Sequence, residues 1–243
     1  MVHEYGKTTL AQEEKSIYDQ LVTGWKNKET RIKIDNKNIP NDKIDQIIFS
    51  ATRDHPEIFW INDHHFIFES GRMGSYVETE LLFQDHEIKL LEQEAERWKQ
   101  TIVSKVPSTF AIDDKFWLIY DYLARQVEYK SEQIRYSHTI IGVLQKHRHK
   151  AVCEGIAKAF KYLCDALAMP SIIIVGDVNF GPGHTGPHAW NIAYTSHGPR
   201  HVDVTSQLIH AKVHGIASKD SFLHTANEMK EYTWNKKEYP LAL

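Results

Sequence analysis

From Val152 onward the apolar residues Ile156, Ala159, Phe160, Leu163 and Leu167 recur at three- and four-residue steps. They share one face of a helix running from about Cys153 to Ala168 and stopping before Pro170. The chain then changes period. Ile172 to Val175, His188 to Tyr194 and His201 to Thr205 read as strands, and Thr195-Ser-His-Gly-Pro-Arg200 has the turn chemistry of a hairpin. One helix followed directly by antiparallel strands predicts an α+β fold for the second half, with a cysteine on the first helical turn.

The first half is mixed α and β. Ile17, Leu21 and Trp25 have helical spacing, as do Ile44, Ile47, Ile48 and Ala51 after a Pro40-Asn41-Asp42 start signal. Ile88, Leu91, Ala95, Trp98 and Ile102 mark the longest helix, with Asp85 as its expected cap. A fourth stripe follows Asp113: Phe116, Ile119, Tyr120, Leu123 and Val127. Thr30 to Ile34, His65 to Glu69 and Tyr76 to Phe83 are strand-like. The change of pattern near Pro107 divides the chain into a mixed α/β accessory region, 1–106, and a core, 107–243.

The bulk properties narrow the partners. With 42% hydrophobic and 25% charged residues the chain can bury a core. A net charge of −3 argues against a nucleic-acid binder, which needs a basic excess to neutralise phosphates. The first residues form no apolar signal stretch, and no window approaches the ~20 apolar residues of a membrane span. A cytoplasmic protein without a membrane partner is expected. Cys153 and Cys164, if both helical, stand about 16 Å apart, beyond disulfide reach, so both are expected as free thiols.

Cys153 differs from Cys164 by position. At a helix start the unpaired N–H groups and the positive end of the dipole favour a thiolate, and the same N–H groups can bind an oxyanion. His147, Arg148, His149 and Lys150 add positive charge upstream, and Gly155 is expected to leave space beside the sulfur for a substrate backbone. Cys164, on the apolar stripe, reads as a small buried hydrophobe.

A thiolate needs an imidazole partner, and the imidazole needs a group that holds its tautomer. His188 follows the extended loop Gly181-Pro-Gly-His-Thr-Gly-Pro187 and opens a strand shared with Trp190 and Ile192. On the next strand His201, Asp203 and Thr205 alternate with Val202 and Val204. A carboxylate on a valine-rich strand is costly unless paired, which suits Asp203 to orient a histidine. A symmetric hairpin turning at His197 and Gly198, however, sets Asp203 opposite Ile192, over ~12 Å along the strand from His188. A bulge or a different register is required.

Val152-Cys153-Glu154-Gly155, His188-Ala189-Trp190-Asn191 and His201-Val202-Asp203-Val204-Thr205, in this order, resemble the motifs of the bacterial transglutaminase-like superfamily. Tyr232-Thr-Trp-Asn235, Tyr239-Pro240 and Ser137-His-Thr-Ile-Ile-Gly142 extend the resemblance, which covers about 110 to 243. It implies a papain-like transglutaminase core, with the cysteine helix packed on an antiparallel sheet. It implies Cys153 as nucleophile, His188 as general base and acid, and Asp203 as orienter, in a register that brings Asp203 to His188. The chain departs from the family at Ser206-Gln207, where a Trp-Asp pair is common. The resemblance matches no residue to a side-chain oxyanion donor; Gln145, eight residues before the thiol, is one candidate.

Gly181-Pro-Gly183-His-Thr-Gly186 matches GxGxxG, but a strand pattern follows where a dinucleotide loop needs a helix. His184 and His188 lack the helix that a four-residue zinc spacing needs, and His147 with His149, or His64 with His65, read as solvated histidines. No cofactor or metal site is expected. The expected activity is thiol-dependent acyl transfer on a protein or peptide amide, with hydrolysis favoured. The alternatives are a protein-glutamine transamidase or deamidase, and a binding or scaffold module retaining the fold. Oligomeric state is left open.

Overall fold

The computed structural model describes residues 3–35, 39–72, 74–130, 135–144, 150–179, 181 and 183–239. The chain divides into two compact units, Met1–Glu92 and Gln93–Leu243.

In the first unit, helices α1 (Tyr5–Thr9), α2 (Gln12–Lys26) and α3 (Asn41–Asp54) accompany strands β1 (Arg31–Ile34), β2 (Ile61–Gly71) and β3 (Gly74–Leu81). The strands form an antiparallel sheet of order β1-β3-β2. The apolar stripes predicted for α2 and α3 are fully buried, and the Trp25 indole donates to Thr79 Oγ1 at 3.2 Å. Buried Asp54 accepts from the Gly6 and Lys7 amides and from the Tyr18 hydroxyl, tying α1, α2 and α3 together.

Helix α4 (Asp85–Val103) carries the division between the units. The cap expected of Asp85 lies one residue earlier: the Glu87 carboxylate accepts from the Gln84 amide at 2.8 Å, and Asp85 is inside the first turn, where its charge suits the dipole. Further along, Trp98 stacks on Tyr162 of the second unit, the rings 6.4 Å apart and 5° from parallel. The pattern break near Pro107 and the division inside α4 are different positions, because an unbroken apolar stripe does not reveal that its two ends pack with different neighbours.

The second unit continues with α5 (Ile112–Gln126), β4 (Glu128–Tyr129), β5 (Lys150–Ala151), α6 (Cys153–Ala166), β6 (Ser171–Asn179), β7 (Thr185–Thr195), β8 (Gly198–Val202), α7 (Leu208–His214), β9 (Phe222–His224) and β10 (Tyr232–Trp234). Strands β10-β6-β7-β8-β9 form an antiparallel sheet in that order, and β4 pairs with β5 in parallel. The unit is thus mixed α and β around an antiparallel sheet. Helix α6 is tied to that sheet by Asn191, whose buried amide donates to Ala157 O on the helix at 3.1 Å and to Ile172 O on β6 at 3.3 Å. Phe160 of α6 stacks on Phe116 of α5 at 6.1 Å. The helix ends at Ala166, two residues before the predicted stop, since Ala168 adopts a left-handed φ of 53° and the Met169 amide closes on Cys164 O.

Strands β6 and β7 run well past their apolar cores because backbone pairing continues through polar residues to Asn179 and Thr185. Gly176 lies opposite His188, and a Cβ there would stand 2.0 Å from Thr233 O, so only glycine lets β10 approach. Among the described residues, no helix is long and apolar enough to cross a membrane.

Candidate active site

Cys153 is the first residue of α6, partly exposed and with a free thiol. Val152 precedes it in extended conformation (φ −95°, ψ 174°), and the Val152 amide donates to Ser137 O at 3.1 Å. The turn from β5 into α6 therefore leaves the sulfur at a helix N-terminus, beside N–H groups that have no intrahelical partner. Glu154 is buried there, 3.0 Å from His138 Nδ1 and 3.2 Å from Lys158 Nζ, which accounts for a carboxylate beside the thiol being held inside the fold. Cys164 is fully buried, and burial raises its thiol well above the usual range.

The expectation that Gly155 opens space for a substrate is corrected by its surroundings. A Cβ on Gly155 would meet Ser137 O at 2.3 Å and Thr139 O at 2.9 Å. The missing side chain admits the chain's own 137–139 backbone.

The register difficulty is resolved by the hairpin. Thr195 pairs with Gly198, leaving only Ser196 and His197 in the loop, with Gly198 at φ 92°. Asn191 then pairs with Val202 and Ile192 with His201, so Asp203 follows opposite Trp190 rather than Ile192. The offset from His188 falls from four residues to two, a diagonal that side chains on one face can span. Strand β8 also stops at Val202, not at the predicted Thr205. Asp203 Oδ1 accepts from the Thr205 amide at 2.9 Å and Ser206 Oγ donates to Asp203 O at 2.9 Å, turning the chain into a short 3-10 segment, Thr205–Gln207.

In this register His188 Nε2 lies 2.9 Å from Asp203 Oδ2, with both side chains buried. The His188 ring is also in hydrogen-bond contact with Cys153. Since Nε2 faces the carboxylate, Nδ1 is the nitrogen left for the sulfur. Burial by itself depresses the imidazolium, but the hydrogen bonds to Asp203 and Cys153, with their charges, outweigh it and raise His188 to about 10. The Asp203 oxygen that meets His188 also accepts from the Tyr232 hydroxyl at 2.7 Å. Behind His188, Trp190 stacks at 5.8 Å and donates its indole N–H to His201 Nδ1 at 3.0 Å. Buried His201 is lowered to about 4, first by desolvation and then by the charges of His224 and Lys236.

No family model matches the chain, and no curated protein does at a significant level. Among solved structures it is similar to a Cytophaga hutchinsonii chain assigned as a cysteine protease, with 16% identity and a TM-score of 0.38 over 63% of this chain and 64% of that one. It is also similar to a structure described as a TGase, with 16% identity and a TM-score of 0.40 over 72% of this chain and 50% of that one. At this level of similarity no residue's role carries over to this chain.

Two side chains at the site were not singled out from sequence. Tyr232 was legible only as part of its Tyr-Thr-Trp-Asn motif, because its bond to Asp203 spans 29 residues. Tyr129 pairs opposite Ala151 in the parallel β4–β5 ladder, partly exposed, and its phenol is raised by burial and by the Cys153 charge. A two-residue strand leaves no periodic signal. Gln145, His147, Arg148 and His149 lie outside the described residues. The GxGxxG segment leads into β7, a strand and not the helix that a dinucleotide loop requires.

Proposed function

We propose that this protein is a thiol-dependent hydrolase or acyltransferase acting on amide bonds of a protein or peptide, with Cys153 as nucleophile, His188 as acid and base, and Asp203 as orienter on a papain-like transglutaminase core. The observation that carries the reading is His188, bonded to Asp203 through Nε2 at 2.9 Å and in contact with Cys153, the first residue of α6.

The chemistry follows from these groups. The His188 imidazolium pairs with the Cys153 thiolate, and the buried Asp203 carboxylate stabilises that cation and fixes its tautomer. Attack of sulfur on the amide carbon places negative charge on the carbonyl oxygen, where the first-turn N–H groups of α6 are available as donors. Collapse breaks the C–N bond, and the departing nitrogen takes the proton from His188. The neutral imidazole then deprotonates water or an amine, which attacks the thioester and returns the sulfur as thiolate.

Hydrolysis is the favoured outcome. Peptide libraries assayed in parallel for new amino termini and for ammonia release separate peptidase from glutamine deamidase, and an added amine reports transamidation. New amino termini that disappear with Cys153→Ala and His188→Ala are expected. A Cys153 that reacts with iodoacetamide like an ordinary thiol, with a pH profile indifferent to His188→Ala, sinks the catalytic reading and leaves a binding or scaffold module.

A further inference from the structure

We propose that Tyr232 is a fourth member of this site, a positioning residue whose hydroxyl holds the Asp203 carboxylate in place for His188. The proposal rests on the Cys153–His188–Asp203 reading above and adds to it a group on a different strand.

Asp203 is 2% exposed and its two oxygens have separate duties. Oδ1 takes the Thr205 amide at 2.9 Å, part of the local turn. Oδ2 takes both His188 Nε2 at 2.9 Å and the Tyr232 hydroxyl at 2.7 Å. The carboxylate torsion is a soft sp³–sp² rotation, so one backbone contact does not hold the second oxygen still. Among the described residues, once Tyr232 is removed the one remaining hydrogen-bond partner of Oδ2 is the imidazole that Oδ2 is meant to orient.

The tyrosine is itself well anchored. Tyr232 pairs with Val178 on β6, its ring lies edge-on to Trp190 at 5.2 Å and it is tilted against His188 at 5.9 Å. Its hydroxyl thus links β10 to the chain leaving β8, and these two strands lie on either side of the β6–β7 pair. Burial, then the Asp203 charge and the bond to it, push the phenol upward, so it remains a donor across the working pH range. Among the described residues, the other titratable groups facing Asp203 are His188 and Tyr120, whose phenol is raised by burial and then by the Asp203 and Asp220 charges. Ser206, the position where the chain departs from the family pattern, is in hydrogen-bond contact with Tyr232 as well.

The test is the rate of Cys153 alkylation by iodoacetamide, followed by mass spectrometry from pH 5 to above 10, in wild type, Tyr232→Phe, Asp203→Asn and the double variant. Tyr232→Phe keeps the ring and its packing. We expect it to slow labelling at neutral pH by roughly three- to tenfold, the scale of one typical net hydrogen bond. The upper step of the profile, where His188 loses its proton, should move down toward neutrality. In the Asp203→Asn background the same change should add nothing, since the group through which Tyr232 acts has gone. Replacement of Tyr232 by 4-aminophenylalanine, which restores a donor on the same ring, should recover the wild-type profile.

A Tyr232→Phe profile that superposes on wild type overturns the proposal, as does an equal loss with and without Asp203. If Tyr232→Phe fails to fold, the 4-aminophenylalanine variant decides: a folded protein without the wild-type profile overturns it. Failure of the underlying site reading is a separate result, in which wild-type Cys153 itself labels as an ordinary thiol.

Discussion

Replacing Gly155 by alanine tests how the nucleophile is held. An alanine Cβ would lie 2.3 Å from Ser137 O and 2.9 Å from Thr139 O, both backbone atoms without a side chain's freedom to rotate away. Ordinary contact requires one partner to move by roughly 1 Å. Overpacking of this kind costs about 1–3 kcal/mol, and backbone obstacles favour the upper end. Displacing Ser137 O also weakens its bond from the Val152 amide, immediately before Cys153, a loss of about 1 kcal/mol. Alanine returns about 1 kcal/mol through helix propensity. The net expectation is a loss of about 2–3 kcal/mol, or a fall in Tm of roughly 5–10 °C at 2–4 °C per kcal/mol. Thermal unfolding by circular dichroism measures it, and iodoacetamide labelling reports the accompanying shift of the thiol. A Gly155→Ala protein with unchanged or raised Tm that loses only turnover would refute this argument and restore Gly155 as a substrate-facing gap.

Three further outcomes are expected. Asn191→Ala removes the donor shared by Ala157 O and Ile172 O and leaves a small cavity under α6, so unfolding should show a loss of about 2–3 kcal/mol. His188, raised in the fold to about 10 from about 6.5 when unfolded, contributes stability that is complete below about pH 6.5 and is lost as pH rises toward 10. Wild-type Tm should therefore drop more between pH 7 and 10 than that of His188→Gln, and parallel curves would contradict the assignment. His201 is lowered to about 4, so its contribution is complete above about pH 6.5 and is lost as pH falls toward 4. His201→Gln should flatten the acid side of the stability curve, measured as Tm between pH 4 and 7.

Much of the fold was readable because it rests on local periodicity. The stripes of α2, α3 and α5, and that of α6 up to Leu163, are buried as their spacing requires, since one face of a helix must meet the core wherever that core lies; Leu167, past the end of α6, is half-buried. Strand cores were legible for the same reason, whereas strand ends were not. Backbone hydrogen bonds carried β6 and β7 through polar residues, and an aspartate-centred turn ended β8 at Val202. The short strands β4, β5, β9 and β10 are too brief for a period and exist because a neighbour pairs with them.

The candidate site divides along the same line. Sequence alone determined that a cysteine begins a helix, that His188 lies on one strand with Asp203 at the end of the next, and that Cys164 belongs to the buried stripe, because each of these depends on neighbours within a few residues. Only the tertiary structure decided the two-residue hairpin loop that brings Asp203 to His188, the Ser137 carbonyl that fills the space beside Gly155, and the Tyr232 hydroxyl on Asp203. Those contacts join residues 15 to 29 positions apart, and their energies appear only once the backbone has already brought the partners together.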